Sequence, residues 1–301
     1  MAAAAVAVSA CGLGPGSQEG TVELLVTRDY GNEVLVDREI GDLTESETAM
    51  RVLDDSAEIE TRYGGGFVQS VEGLEGGNED GRTLDWFFAV NGIVAELGSA
   101  DFSVTAGDKV WWDYRDWTDA MDVGAVVGAY PAPMATGYGD ADWPVRIECL
   151  SDRAACEVAR KQLDKVGVTA EIAYEAGSRS DDTLRFVVGT WNDIKGDEDA
   201  ARLEKSPSSS GVFARFESGE GPGGTDDLIG LDQEAETARE FGPDAGLVAA
   251  SRRGDGPPVW FLTGGSDTGV MAAAAALTPE DLEHRYAAAV FDGRITSLPI
   301  R

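Results

Sequence analysis

Residues Asp108–Trp117 read DKVWWDYRDW, and this stretch decides how the first part of the chain folds. Aromatic and β-branched residues behind a Gly107-Asp108 turn signal are the composition of a strand. Successive strand side chains point to opposite faces, so Trp112 and Tyr114 oppose Trp111 and Asp113. The run Leu84–Gly92, LDWFFAVNG, repeats the pattern, with Trp86, Phe88 and Val90 on one face and Phe87, Ala89 and Asn91 on the other. Both faces are therefore aromatic. A sheet carrying one helix covers only one of them, and the other must bury its rings against a ligand, a second domain or a partner.

Working outward, Thr21–Ile40 alternates apolar and polar residues on both sides of Gly31-Asn32, the signal of a β-hairpin. Thr44-Glu45-Ser46-Glu47 has capping-box spacing, and Ala49, Val52 and Leu53 follow at helical intervals. Gly65–Leu74, GGFVQSVEGL, is a further strand, and Gly76–Gly81, GGNEDG, is a solvated hairpin connection without the ordered ligand spacing of a calcium loop. The order is strand, strand, helix and more strands, as in a β-grasp sheet wrapped around a single helix. Residues 120–143 are rich in Gly, Ala and Pro and read as a linker with room for a short edge strand.

Beyond Pro144 strands alternate with Ala-rich helices: VRIECL, then RAACEVARKQLDKVG behind a Ser151/Asp152 cap, then TAEIAYE and TLRFVVGTW. A second cycle runs through DEDAARLE, GVFARFE, AGLVAASR and VWFLTGG to helices predicted at Gly269–Leu277 and Pro279–Val290. This alternation predicts an α/β layered domain over 144–301. The fold class expected for the whole chain is thus an α+β N-terminal β-grasp domain over 20–119, a linker over 120–143 and the α/β domain.

The N-terminus carries an address rather than a core. Residues 1–10 are small, apolar and uncharged and lead into Cys11-Gly12, followed by Gly, Pro, Ser and Gln up to Gly20. Val8-Ser9-Ala10-Cys11 resembles the lipobox of bacterial lipoproteins. The resemblance implies that 1–19 is signal and tether, that Cys11 is lipidated, and that the protein is extracytoplasmic and held on the cell membrane by acyl chains. In an oxidising compartment Cys149 and Cys156 could close a small disulfide; two reduced buried thiols are the alternative.

Composition limits the chemistry. Asp and Glu number 55 against 24 Lys and Arg, a net charge of −31, which repels phosphate backbones and makes nucleic acid an unsuitable partner. With three cysteines, no CxxC pair and a single histidine, a zinc site is not expected. That histidine, His284, sits on a charged stretch, and no GxSxG elbow is present, so no catalytic constellation stands out and a non-catalytic protein is expected. Gly264–Gly269 joins a strand to a helix without the Lys of a phosphate loop, and reads as a turn capped by Asp267.

One family resemblance accompanies these readings. TVELLV, the helix around Ala49–Leu53, the run Tyr63–Gly73, the run Trp86–Gly92 and the run Val104–Tyr114 are together similar to the C-terminal β-grasp domain of transcobalamin and intrinsic factor, a domain type that bacterial exported proteins also carry. The resemblance covers Gly20–Trp117. It implies a capacity to bind a cobalamin-like or other small planar ligand, or a cell-surface partner protein, on the surface near Tyr63, Phe67, Trp86, Asn91, Trp112 and Tyr114. No resident cofactor is expected. The alternative is a structural or adhesion module of the cell surface with no small-molecule ligand.

Overall fold

The computed structural model describes residues 16–121, 123–151, 153–177, 182–203, 205, 207–219 and 225–301. The chain is mixed α+β, with four sheets among the described residues. Strands β1 (Val22–Arg28) and β2 (Glu33–Ile40) form the expected hairpin, turned through Asp29, Tyr30 and Gly31, all with positive φ. Helix α1 (Ala49–Asp54) follows. Its cap is Thr48, whose hydroxyl accepts from the Arg51 amide; Thr44 and Glu47 instead bond to one another (Thr44 N to Glu47 Oε2, 3.2 Å) and close the turn before the helix. Strands β3 (Ile59–Arg62), β4 (Phe67–Val71) and β5 (Leu74–Glu75) make a small antiparallel sheet. Strands β6 (Gly77–Glu79), β7 (Arg82–Val90), β8 (Ile93–Val94) and β9 (Lys109–Asp116) complete the larger one.

The order of that larger sheet is β2-β1-β9-β7-β6, with β8 paired to β7. Its central pair, β1 and β9, is parallel, with Val26 opposite Trp112, and its other pairings are antiparallel. Val22, Leu24 and Val26 of β1 pack with Val52 and Leu53 of α1 and with Trp86, Val110 and Trp112. Each such side chain contributes about 1.5–3 kcal/mol on burial. Gly16–Gln18, within the stretch expected to be a tether, lies along Thr44–Glu45: the Gln18 amide donates to Leu43 O (2.9 Å) and the Glu45 amide to Gly16 O (2.9 Å).

The 120–143 segment is packed rather than solvated. Ala120, Val123, Val126, Val127 and Tyr130 are buried and feed two hydrophobic cores of the second half. Its small residues permit this approach, since a Cβ on Gly124 would stand 2.5 Å from Arg252 O and one on Gly128 2.7 Å from the Trp111 ring. The Gly and Ala content that reads as a linker is here a requirement of close packing.

Strand β10 (Val145–Cys149), helix α2 (Arg153–Lys165), β11 (Ala170–Ala173) and β12 (Leu184–Thr190) open the second half. Short helices α3 (Trp191–Ile194) and α4 (Pro207–Ser210) lead to an antiparallel sheet of β13 (Ala214–Ser218), β14 (Asp226–Leu231) and β15 (Thr237–Gly242). Then come β16 (Gly246–Ser251), β17 (Val259–Gly264), α5 (Asp267–Ala275), α6 (Pro279–Leu282), β18 (Ala287–Phe291) and β19 (Arg294–Leu298).

The seven-stranded sheet runs β11-β10-β12-β17-β16-β18-β19; β11, β10, β12 and β17 are parallel and the rest antiparallel. Ile147, Phe186 and Leu262 face α2 and α5, while Val187, Phe261 and Leu247 face Leu228 of β14 and Phe213 just ahead of β13. Burial on both faces explains why these strands read as continuous apolar runs.

Three expectations are corrected. The helix predicted at Pro279–Val290 ends at Leu282, because Glu283 leaves the helical region (ψ 135) and His284 has φ 59; the alanines that follow form β18 inside the sheet. The DEDAARLE segment holds a single 3-10 turn, Ala200–Arg202. The turn after β17 is capped by Ser266, whose Oγ accepts from Gly269 N (3.4 Å), and Asp267 is the first helical residue. Cys11, and Asp152 of the Ser151/Asp152 pair, lie outside the described residues. Cys149 and Cys156 are joined as a disulfide, with Cα atoms 5.8 Å apart, pinning the end of β10 to the first turns of α2.

Candidate functional site

The second aromatic face of the first sheet is where the two halves of the molecule meet. Alternation along β9 turns Trp111, Asp113 and Arg115 outward, and Phe87 of β7 stands opposite Asp113. Tyr30 and Gly31 reach the same face from the β1–β2 turn. From the other half comes Tyr286, just ahead of β18. Tyr30 packs edge-on to Tyr286 (5.0 Å between ring centroids) and to Phe213 (4.9 Å), and Trp111 edge-on to Tyr286 (5.3 Å). Gly31 is needed at this point: its φ is +80, and a Cβ there would lie 2.2 Å from His284 O.

Asp113, 2% exposed, is the hub of this seam. Its Oδ1 accepts from Thr27 Oγ1 (2.5 Å) and Gly31 N (3.1 Å), and its Oδ2 from Tyr30 N (3.0 Å) and Tyr286 Oη (3.0 Å). Trp111 Nε1 donates to Thr27 Oγ1 (2.8 Å), and Tyr30 Oη donates to Asp116 O. Burial pushes the Asp113 carboxyl above the usual carboxylate range, while its bonds from Thr27 and Gly31 and the nearby Arg115 charge act against that rise. Burial also raises Tyr30, to about 12, and Tyr286 well above the ordinary phenol value. Both hydroxyls therefore stay protonated and act as donors at neutral pH.

Arg115 lies beside this hub at 1% exposure. Its guanidinium sits 4.0 Å from the centroid of the Phe87 ring and donates from Nη1 to Ala120 O (3.0 Å), while its Nε has no acceptor. It lines an open cavity of about 240 Å³ beside the seam, together with Phe87, Val94, Glu96, Met121, Val123 and Arg252. Arg252, 8% exposed, donates from Nε to Gly256 O (2.8 Å), and its Nη1 lies 3.6 Å from Glu96 Oε1. Two guanidiniums thus border one partly apolar hollow.

A second cleft, of about 540 Å³, lies over β10 and β12 in the second half, lined by Leu150, Gly177, Arg185, Ile194 and Asp197 among others. Beneath it is a closed ion network in which Arg185 bonds Glu148 through Nε (2.9 Å) and Nη2 (2.8 Å) and reaches Asp197 (2.5 Å) and Asp199 (3.4 Å). Arg146 adds a bond to Glu148 (2.8 Å). Burial works to raise Glu148, but the bonds from Arg185 and Arg146 prevail and hold it below the usual range. Each charged member is paired, although Arg146 Nε is buried without an acceptor, and the mutual pairing is the arrangement of a structural strut.

Of the six residues expected to line a ligand surface, Trp86, Asn91 and Trp112 are buried, Tyr114 is half-buried, and Tyr63 and Phe67 are exposed. Trp86 is buried, its Nε1 donating to Leu74 O (2.9 Å), and Trp112 stacks on Phe88 in the same core (4.9 Å). Asn91 is fully enclosed, donating to Asp108 Oδ1 (2.7 Å) and Gly137 O (2.8 Å) and accepting from Lys109 N (2.9 Å). Tyr114 leans on Trp86 (5.2 Å) and donates to Glu75 O (2.9 Å). Tyr63 and Phe67, 88% and 37% exposed, form an edge-on pair (6.2 Å) on the β3–β4 hairpin. Sequence reading missed Arg115, Tyr286 and Arg252. Extending the β9 alternation by two residues reaches Arg115, whereas nothing local marks the other two.

Among the described residues no group of three or more His, Cys, Asp or Glu side chains is arranged to hold a metal ion, and no helix is long and apolar enough to cross a membrane. Residues 46–116, which span α1 to β9, match a family described as a domain of unknown function (DUF4430). No curated protein matches the chain. A solved structure described as a "putative metal binding protein" from Ruminococcus gnavus is similar over 33% of this chain and 98% of its own, at 17% identity and a TM-score of 0.27.

Proposed function

We propose that this protein is an exported, lipid-anchored and non-catalytic binding module of the cell surface, in which a β-grasp domain is clamped to an α/β domain and recognition takes place at the rim of the seam. The sheet order β2-β1-β9-β7-β6, with its parallel central pair and α1 against one face, supports reading 20–119 as the β-grasp domain. The parallel run β11-β10-β12-β17 under α2 and α5 supports reading 144–301 as α/β layered. The observation that carries the proposal is the closure of the outer aromatic face by Tyr286 and Phe213, beside which a hollow lined by Phe87, Arg115 and Arg252 lies between the two halves. Binding sites favour such domain junctions. The same closure favours a second reading, a structural module without a small ligand, because the rings that could hold a planar ligand are already occupied.

The export part of the proposal rests on the lipobox-like Val8–Cys11 and is tested by mass analysis of the N-terminus of the protein recovered from bacterial membranes. An acylated Cys11 is expected, with Cys11→Ala released from the membrane; an unmodified Met1 on protein from the cytosol overturns it. The binding part is tested by titrating cobalamin into the protein. The closed face predicts no spectral change, and a stoichiometric cobalamin complex would overturn the seam assignment.

A further inference from the structure

We propose that Tyr63, Phe67 and Leu97 form an apolar patch that seats in the interfacial layer of a neutral lipid bilayer, beside the acylated Cys11. The inference rests on the lipid-anchor reading above and names the surface that the anchored protein turns toward the membrane. Of the six large apolar side chains exposed among the described residues, three are these: Tyr63 at 88%, Leu97 at 61% and Phe67 at 37%. They are neighbours in space. Tyr63 and Phe67 meet edge-on at 6.2 Å, and the loop carrying Leu97 runs against the hairpin tip, where a Cβ on Gly98 would lie 3.6 Å from Gly66 O. Tyr63 also has φ 55, a left-handed conformation that aromatic residues rarely take, so the hairpin holds this ring outward at a cost in backbone strain.

Chain length puts this patch on the membrane side. Gly16 lies against Glu45, whose amide donates to Gly16 O (2.9 Å), and Cys11 stands five residues earlier. Five residues span at most about 18 Å, so an acyl anchor at Cys11 keeps the surface around Glu45 close to the bilayer. A line of backbone bonds leads from there to the patch. Val104 N donates to Glu47 O (3.1 Å), Ala49 N to Phe102 O (3.0 Å), Met50 N to Ser99 O (3.0 Å) and Phe102 N to Gly98 O (3.1 Å), next to Leu97. Gly16, the start of α1, the 97–103 loop and the tip of the β3–β4 hairpin thus gather at one end of the first half.

The chemistry of the patch suits lipid. A tyrosine at the headgroup layer buries its ring and keeps its phenol wet, and phenylalanine and leucine add apolar area. Nothing nearby attracts anionic headgroups: Arg62, next to Tyr63, bonds to Glu75 (2.8 Å), and the exposed acids Glu96 and Asp101 flank Leu97. The contact is therefore apolar. Three side chains of this size support only weak partitioning alone, so the patch orients a protein that the anchor already holds.

The experiment uses the full-length acylated protein, recovered from bacterial membranes and reconstituted in phosphatidylcholine vesicles, with acyl-free Cys11→Ala in buffer as the reference. Amide hydrogen exchange is read by mass spectrometry. Amides of 62–68 and 96–99 are expected to exchange at least about tenfold more slowly on the vesicles, while those of Tyr30 and Gly31 exchange alike in both samples. Tyr63→Ser combined with Leu97→Ser, both at exposed positions, is expected to abolish that slowing and to keep the melting temperature within about 2 °C. Cys11→Ala is expected to float weakly with phosphatidylcholine vesicles, at least about tenfold less with the two serines, and no better when phosphatidylglycerol is added to the lipid. Unchanged exchange at the hairpin on vesicles, slowing that survives the two serines, or tighter binding to the anionic vesicles overturns the proposal. Slowing that is present in native membranes and lost in pure lipid assigns the patch to a partner protein and overturns it as well. These failures, read on acylated protein, leave the anchor reading standing, whereas an unmodified Cys11 on the native protein removes that reading and the proposal with it.

Discussion

Replacing Tyr286 with Phe tests the seam with the loss of a single oxygen. The hydroxyl donates to Asp113 Oδ2 at 3.0 Å inside a buried contact, and the ring itself stays packed against Tyr30 and Trp111. A hydrogen bond to a buried carboxylate contributes about 1.5–3 kcal/mol, so Tyr286→Phe is expected to lower stability by about 2 kcal/mol at neutral pH. Urea unfolding with tryptophan fluorescence measures this, and the double mutant with Asp113→Asn isolates the pair. If the two side chains act on each other as described, the cycle gives a coupling of about 1–2 kcal/mol. A single-mutant cost below about 0.5 kcal/mol, with no coupling in the cycle, would refute the claim that Asp113 and Tyr286 hold the two halves of the chain together.

Two further outcomes follow from other groups. Asp113 has its folded pKa raised by burial, so its contribution to stability is full below the unfolded carboxylate value of 3.8 and is lost as pH rises through the folded value; Asp113→Asn is expected to flatten that segment of the stability–pH curve, measured by urea midpoints between about pH 3 and 7. Arg185→Ala leaves Glu148, Asp197 and Asp199 without their shared partner in a buried site and is expected to cost about 3–5 kcal/mol in denaturant titration, a loss under about 1 kcal/mol being inconsistent with the network.

Much of the first half was legible because its signals are local. The hairpin turn at Gly31, the helical spacing of Ala49, Val52 and Leu53, and the two aromatic strands each carry their own periodicity, and that periodicity correctly put Trp111 and Asp113 on one face. The second half was legible where an apolar run was bounded by turns, as in β10, β12 and β17. It was misread where intrinsic propensity and tertiary context disagree. Ala287–Val290 is Ala-rich and helix-favouring in isolation, but within β18 it pairs with β16 and β19 and is buried, where small side chains fit.

The candidate site was the least legible part, because its members come from distant segments. Phe87 and Arg115 belong to one sheet, Met121 and Val123 to the connector and Arg252 to the second half of the chain. The connector hid in plain composition. Glycines at 124 and 128 look like linker residues until the backbone of Arg252 and the ring of Trp111 are seen to press against them. The six ligand residues expected from family resemblance scattered for a related reason: alternation tells two faces apart without telling which face the helix will cover.

The central claim is that the outer face of the first half's larger sheet is closed by the second half of the chain, and native-state amide hydrogen exchange at Tyr30 and Gly31 tests it most directly. Both amides sit in a turn and donate to Asp113 within the seam. The account predicts that they exchange only through global unfolding, with protection matching that of the β9 core amides. Exchange at the rate of an exposed turn would show that the domains part readily, and would contradict it.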